Sequence, residues 1–346
     1  MARPLVRVAL AIGAVVATLG MSACGSDSRA AGVRPEEVRL GYFPNLTHAT
    51  AIVADKEGFF AKHLGATKLT VSTFNAGPGA MEALKSGAID ATYVGPGPAT
   101  NAYINSDGQA VTVVAGAATG GSSLVVDPSV RSAADLRGKK VSTPSLGNTQ
   151  DIALRHWLSK QGLQTDLQGG GDVNILPQEN AQILEAFTQK LIVAAWVPEP
   201  YATRMVQAGG KVLVDEHDLW PQGRFATTVL AVSTDFLKEH PATVKALLAG
   251  HLDATEFVAK NPAKAQSDVA NLIATLSGKP LKDAVIAAAW KQLEFTVDPV
   301  SSSLVAGAQH AHEIGVLEEE PKLDKLVDLS LLNQLLKERG KTVITQ

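Results

Sequence analysis

An α/β fold of two similar lobes is what this sequence predicts, and three observations carry the prediction. From Val38 onward short apolar segments alternate with amphipathic helical ones, the βαβ signature of a mostly parallel sheet. The alternation runs through two successive sets of elements. A shift of 103 residues aligns parts of those sets without a gap. Glu82-Ala83-Leu84 falls on Glu185-Ala186-Phe187. Ile89, Ala91, Tyr93, Val94, Ala99 and Thr100 fall on Ile192, Ala194, Trp196, Val197, Ala202 and Thr203.

The elements follow in order. Residues 38–42, 69–74, 91–94 and 111–115 read as strands of the first set, with helices over 49–64 and 79–86 and another from Ala99. Ser132 and Asp135 have the spacing of a capping box. Strands are expected at 140–142, 173–176, 192–196 and 211–214, between helices at 149–161, 181–188 and 201–208. The apolar run 227–233 reads as a strand that returns the chain to the first lobe. From Ala242 the pattern is mostly helical, with Pro241 and Pro262 where helices begin. The expected division is 34–120 for lobe 1, 121–228 for lobe 2, and 229–346 for the return strand and C-terminal helices.

Composition narrows the function classes. The chain has 346 residues, 45% hydrophobic and 19% charged, with a formal net charge of -3. It carries no Lys/Arg-rich run, so a nucleic-acid partner is not expected. Its single cysteine excludes an internal disulfide and a multi-cysteine zinc site. No cofactor is expected. Arg3 and Arg7 precede an uncharged apolar run over 8–20, too short to span a bilayer and suited to a signal peptide over 1–23. Met21-Ser22-Ala23-Cys24 then resembles the lipobox of bacterial lipoproteins. That resemblance implies acylation of Cys24 and export to the outer face of the cytoplasmic membrane, with 24–33 as a small, polar tether.

The strand-to-helix turns carry the chemistry. In open parallel sheets ligands bind beyond the carboxyl ends of the strands, where helix N-termini present free N–H groups and partial positive charge. Five turns are small and polar: 43–48, 75–79, 95–98, 144–149 and 197–200. Residues 120–123 add Gly-Gly-Ser-Ser at the expected crossing between lobes. Such turns hold an anion without Lys or Arg.

On these residues the chain resembles the solute-binding proteins of ABC importers for aliphatic sulfonates, nitrate and taurine. The motifs are Arg39-Leu40-Gly41-Tyr42, Ala76-Gly77-Pro78 with Glu82-Ala83-Leu84, and Ser86-Gly87-Ala88-Ile89-Asp90-Ala91. Further on come Ala134-Asp135-Leu136-Arg137-Gly138-Lys139-Lys140-Val141 and Trp196-Val197-Pro198-Glu199-Pro200-Tyr201. Lys190-Leu191-Ile192-Val193 departs from a pattern that often reads Gly-x-Ile-Asp. The resemblance implies a two-lobed periplasmic-binding-protein fold of type II, with the ligand in the inter-lobe cleft. It also implies a permease and an ATPase as partners of a monomeric chain.

Carried over residue by residue, it implies ligand contacts from Asn45, Thr47 and His48 in the first turn. Gly77, Gly97, Ser122 and Ser123 follow in the first lobe and crossing, then Asn148 and Thr149 at a second-lobe helix start. Trp196 is expected against the apolar part of the guest, with Glu199 beside it. His48 has the alternative of capping its helix, Trp196 of packing in the core, and Glu199 of meeting a helix dipole. Arg224 is a surface cation or a further contact. A tetrahedral sulfonate suits convergent N–H and hydroxyl donors. Nitrate, taurine, a sulfate ester and a heterocyclic precursor remain as alternatives. An exported enzyme is the competing class, but the chain has no G-x-S-x-G elbow, P-loop or G-x-G-x-x-G. His217 with Asp218, and His310 with His312, lack a convincing third metal ligand and read as surface residues.

Overall fold

A computed structural model of the chain describes residues 35–345. The expected signal peptide, the tether and Cys24 lie outside the described residues.

The first set of elements is β1 (Glu37–Tyr42), α1 (Ala49–Lys56), α2 (Phe59–Leu64), β2 (Lys68–Thr73), α3 (Gly77–Lys85), β3 (Ala91–Val94), α4 (Pro96–Ile104) and β4 (Val111–Gly120). The second is β5 (Ser122–Val126), β6 (Lys140–Thr143), α5 (Thr149–Lys160), β7 (Asn174–Pro177), α6 (Asn180–Thr188), β8 (Ala194–Pro198), α7 (Tyr201–Gln207) and β9 (Lys211–Asp215). Then come β10 (Ala226–Ser233), α8 (Thr234–Glu239), α9 (Pro241–Lys260), α10 (Pro262–Ser277), α11 (Asp283–Trp290), β11 (Leu293–Glu294), α12 (Ser301–Glu313) and α13 (Ser330–Glu338).

These strands form two sheets, β11-β4-β10-β3-β1-β2 and β7-β6-β8-β5-β9. In each, one strand lies parallel between two neighbours: β1 between β2 and β3, and β6 between β7 and β8. In each, the strand beside a crossing runs the other way, and in the first sheet the two-residue β11 at the edge does so too. β5 leaves β4 through Gly120 and Gly121 and lies antiparallel to β8 and β9. β10 comes back and lies antiparallel to β3 and β4. Both crossing glycines have positive φ, +74° and +67°, which a side chain would resist.

The 103-residue echo is structural. α3 over 77–85 maps onto α6 over 180–188, and β3 over 91–94 onto the start of β8 at 194. The central strands are buried runs, ATYV in β3 and all ten residues of β4, as expected where both faces are covered. One core packs α1, α2, α9, α10 and α13 against the first sheet. Separate clusters cover the two faces of the second sheet. Ile152 of α5 packs with Ala308 and Ala311 of α12 and with Leu317, so the C-terminal segment touches both lobes.

The structure departs from the sequence reading in small ways. The helix expected over 49–64 breaks into α1 and α2 at Gly58, whose φ is +72°. The strand expected at 111–115 runs on to Gly120, and the C-terminal part adds the two-residue β11 against Thr119 and Gly120. The Ser132–Asp135 capping box is present. Among the described residues no helix is long and apolar enough to cross a membrane.

Candidate functional site

Loops from the carboxyl ends of β1, β2, β3, β6, β7 and β8 converge on one cavity of about 40 Å³. Six of the expected residues line it: Asn45, Thr47, His48, Gly77, Asn148 and Thr149. Asn75, Gln150, Asn180, Pro198 and Thr227 line it as well. The lining obeys the internal echo. Asn45 and Asn148, Thr47 and Gln150, Gly77 and Asn180, and Gly95 and Pro198 are each 103 positions apart, and every member faces the cavity. Asn180 and Gln150 were missing from the expected set, yet the same shift applied to Gly77 and Thr47 finds both.

The cavity's charge comes from backbone. Among the described residues its lining contains no Lys, Arg, Asp or Glu. Helices α3, α4, α5 and α6 start at it, and α3 and α6 have no side-chain cap on their N-terminal N–H groups; in α4, Pro96 and Pro98 have no N–H and that of Gly97 is taken by Thr149 Oγ1. Each such end carries roughly half a positive charge. At α5 the Asn148 side chain accepts from Asp151 N at 2.9 Å, which leaves the N–H groups of the first two helical residues unspent.

Two side chains sharpen this picture. His48 is buried and stacked on Phe43, with ring centroids 4.4 Å apart. The Phe43 N–H donates to its Nδ1 at 3.2 Å, and burial lowers its pKa to about 3. The ring is therefore neutral with its proton on Nε2, which makes it a donor. Asn180 is 7% exposed and its Oδ1 has no partner.

The second-lobe turn is held from behind. Asp151 is fully buried, pairs with Arg155 Nε at 2.9 Å, and accepts from Thr143 Oγ1 at 2.8 Å and Gly147 N at 2.9 Å. One carboxylate thus fixes the strand end, the turn and the first turn of α5. The lobes also touch directly. Gly97 N–H donates to Thr149 Oγ1 at 3.2 Å, Asn101 Nδ2 to Gly147 O at 3.2 Å, and Asn75 Nδ2 to Glu179 Oε1 at 2.9 Å.

The other expected residues lie elsewhere. Gly97 faces a neighbouring cavity rather than this one. Trp196 is fully buried in the second-lobe core, edge-on to Trp157, and its Nε1 donates to Glu216 Oε2 at 2.8 Å and Ser122 Oγ at 3.1 Å. A buried indole N–H needs an acceptor, and Glu216 supplies it away from the cleft. Ser122 is spent on the same contact. Ser123 sits within β5, opposite Val197 and Asp215. Glu199 accepts from Thr203 N and Oγ1 at the start of α7, and burial raises its pKa. Arg224 pairs with Asp298 at 3.2 Å. His217 bonds Asp215, while His310 is half-buried, stacked on His156 with centroids 3.6 Å apart. No cluster of three or more His, Cys, Asp or Glu suited to a metal occurs among the described residues.

Two matched lobes closing on an amide-rich cavity define the two-lobed periplasmic-binding-protein fold. Comparison with solved structures agrees: the alkanesulfonate-binding protein SsuA from Xanthomonas axonopodis pv. citri, bound to MOPS, superposes with a TM-score of 0.70 at 19% identity, covering 86% of this chain and 99% of that one. Residues 31–274 match the NMT1-like family, and the chain belongs to it. It is 28% identical over 278 residues to the taurine-binding periplasmic protein of Escherichia coli (strain K12), covering 77% of this chain and 83% of that protein. It is 29% identical over 229 residues to a binding protein of Brucella abortus (strain 2308), covering 65% and 68%.

Proposed function

We propose that this chain is an extracytoplasmic solute-binding protein of an ABC importer that closes its two lobes on a small organic anion, an aliphatic sulfonate. The observation that carries the reading is the cavity's makeup: helix starts from both lobes, and no charged side chain in its lining. An acid that stays ionised at any physiological pH suits such a site, because helix ends hold it without a counter-charge. Asn45, Thr47, His48, Gly77, Asn148 and Thr149 are the proposed contacts, joined by Gln150 and Asn180. Similarity to the taurine-binding protein of Escherichia coli supports a ligand of this class. The proposed partners are a membrane permease and its ATPase, and the proposed anchor is an acyl group on Cys24. The Cys24→Ala chain should leave the membrane fraction; its retention there contradicts the anchor.

One observation favours a zwitterion such as taurine as a second reading. Asn180 Oδ1 is an unpaired acceptor in the cavity, and a guest carrying an ammonium group would satisfy it. A thermal-shift screen of the purified protein with alkyl sulfonates, taurine, nitrate and pyrimidines decides among these, since a ligand raises the melting point in proportion to RT ln(1 + [L]/Kd). A shift with sulfonates supports the first reading. A shift with taurine alone supports the second, and a shift only with nitrate or pyrimidines contradicts both.

A further inference from the structure

We propose that the apolar cavity beside the cleft is a compartment for the hydrocarbon tail of the bound anion, so the preferred guest is an amphiphile and not a compact ion. This rests on the anion-binding reading above. The second cavity has a volume of about 30 Å³ and adjoins the first at Thr149, which lines both. Its apolar walls come from both lobes: Pro96 and Leu304 from the first, Ile152, Ala153 and Trp220 from the second, and Phe225 from the crossing.

What separates the two cavities is the state of their polar groups. In the cleft, Asn180 Oδ1 is unpaired. Around the second cavity Glu216, Ser303 and Thr100 are already engaged. Glu216 accepts from Trp196 Nε1 at 2.8 Å and from Trp220 Nε1 at 3.3 Å. Ser303 Oγ accepts from Ala226 N and donates to Val300 O, and Thr100 Oγ1 donates to Gly97 O. His310 stacks on His156. Apart from the His310 ring and the Thr149 hydroxyl at the junction, a guest there meets apolar surface or polar groups already in use, which favours its hydrocarbon part.

The junction suits this division. Gly97 N–H is held by Thr149 Oγ1. An anionic oxygen of the guest replaces that acceptor and takes both the amide and the hydroxyl as donors. Its head then stays on the helix starts while its tail passes into the second cavity. Because the walls belong to both lobes, burying the tail also favours closure.

Calorimetry with methanesulfonate and 1-butanesulfonate on the purified protein tests this. The longer anion should bind about tenfold tighter or more, from burial of its methylenes. Gly307 lies on α12 at the cavity wall, and a Cβ there meets no atom within 4 Å. Gly307→Leu fills the space and improves helix propensity, so the fold should survive. Ala153→Leu fills it from the opposite lobe. Both variants should reduce the preference to within about threefold, since the methylenes then lose their apolar contact, and leave methanesulfonate binding unchanged. Equal affinities in the unaltered protein, or a preference that survives both substitutions, overturns the compartment alone. Failure of both sulfonates to bind overturns the anion reading, and the compartment with it.

Discussion

Gly97 and Thr149 meet across the lobes, the amide of one donating to the hydroxyl of the other at 3.2 Å. A Cβ at Gly97 would stand 3.0 Å from Thr149 N and 3.0 Å from Ile152 Cδ1. Both obstacles belong to the opposite lobe, so opening the cleft relieves them. Gly97→Ala should therefore weaken anion binding about tenfold, equivalent to about 1.4 kcal/mol, with little change in melting temperature. Small-angle scattering should show a larger radius of gyration for the variant. An unchanged radius with a large loss of stability would place the contact inside a lobe core instead.

Arg155 and Asp151 form an ion pair with side chains 1% and 0% exposed. Removing one partner of such a pair leaves a buried charge, at about 3–5 kcal/mol. Arg155→Met should lose about that much stability in urea denaturation. It should also loosen the 144–148 turn that Asp151 holds, and so weaken binding. A loss below about 1 kcal/mol would mean that water reaches the carboxylate.

Lys190 has φ +58°, in the left-handed region, while its counterpart in the first lobe, Gly87, has φ +72°. The two turns close alike: Ala88 N donates to Ala83 O, and Leu191 N to Ala186 O, each at 2.8 Å. A side chain in this conformation costs about 1 kcal/mol. Lys190→Gly should raise stability by roughly that amount, less the glycine's greater unfolded entropy. A denaturation midpoint equal to or below the parent's would contradict the assignment.

Acid should destabilise the fold well before the carboxylates titrate. Burial lowers the pKa of His48 to about 3 and of His251 to about 4. Burial, with His156 beside it, lowers that of His310 to about 4, and burial lowers that of His156. The unfolded chain takes these protons near pH 6.5 while the folded chain refuses them, so stability falls as pH drops from about 7 toward 4. Glu199 and Glu216 work the other way. Burial raises their pKa, so they hold a proton in the fold above the unfolded value and stabilise it as pH falls through that window. Four histidines against two glutamates gives a net loss. His251 is a clean probe, with Nε2 donating to Gly116 O and Nδ1 accepting from Tyr93, each at 2.8 Å. His251→Gln should flatten the acid limb by up to about 1.4 kcal/mol per pH unit. An equally steep limb would show that other groups govern it.

Much of the fold was legible because βαβ punctuation and the internal echo are both local signals. The echo also held the key to the cavity, since the residues 103 positions beyond Thr47 and Gly77 complete its second half. Trp196 shows what a linear reading misses. Its equivalence to Tyr93 holds in the structure, but both aromatics end in cores and each donates to a buried group, Tyr93 to His251 and Trp196 to Glu216. Those partners lie 158 and 20 residues away, and no pattern around either aromatic announces them. Glu199 likewise sits at the right loop, but its carboxylate turns to the start of α7. Sequence placed the loops; the direction of each side chain depended on where a hydrogen-bond partner lay.

The central claim is that helix starts from both lobes grip one anion together. The most direct measurement is an amide NMR titration of the purified protein with an alkyl sulfonate. The account predicts saturable shifts at Gly77 and Asn180, and at Thr47 and Gln150, all fitting one 1:1 dissociation constant. Shifts confined to one lobe, or two lobes titrating with different constants, would contradict it.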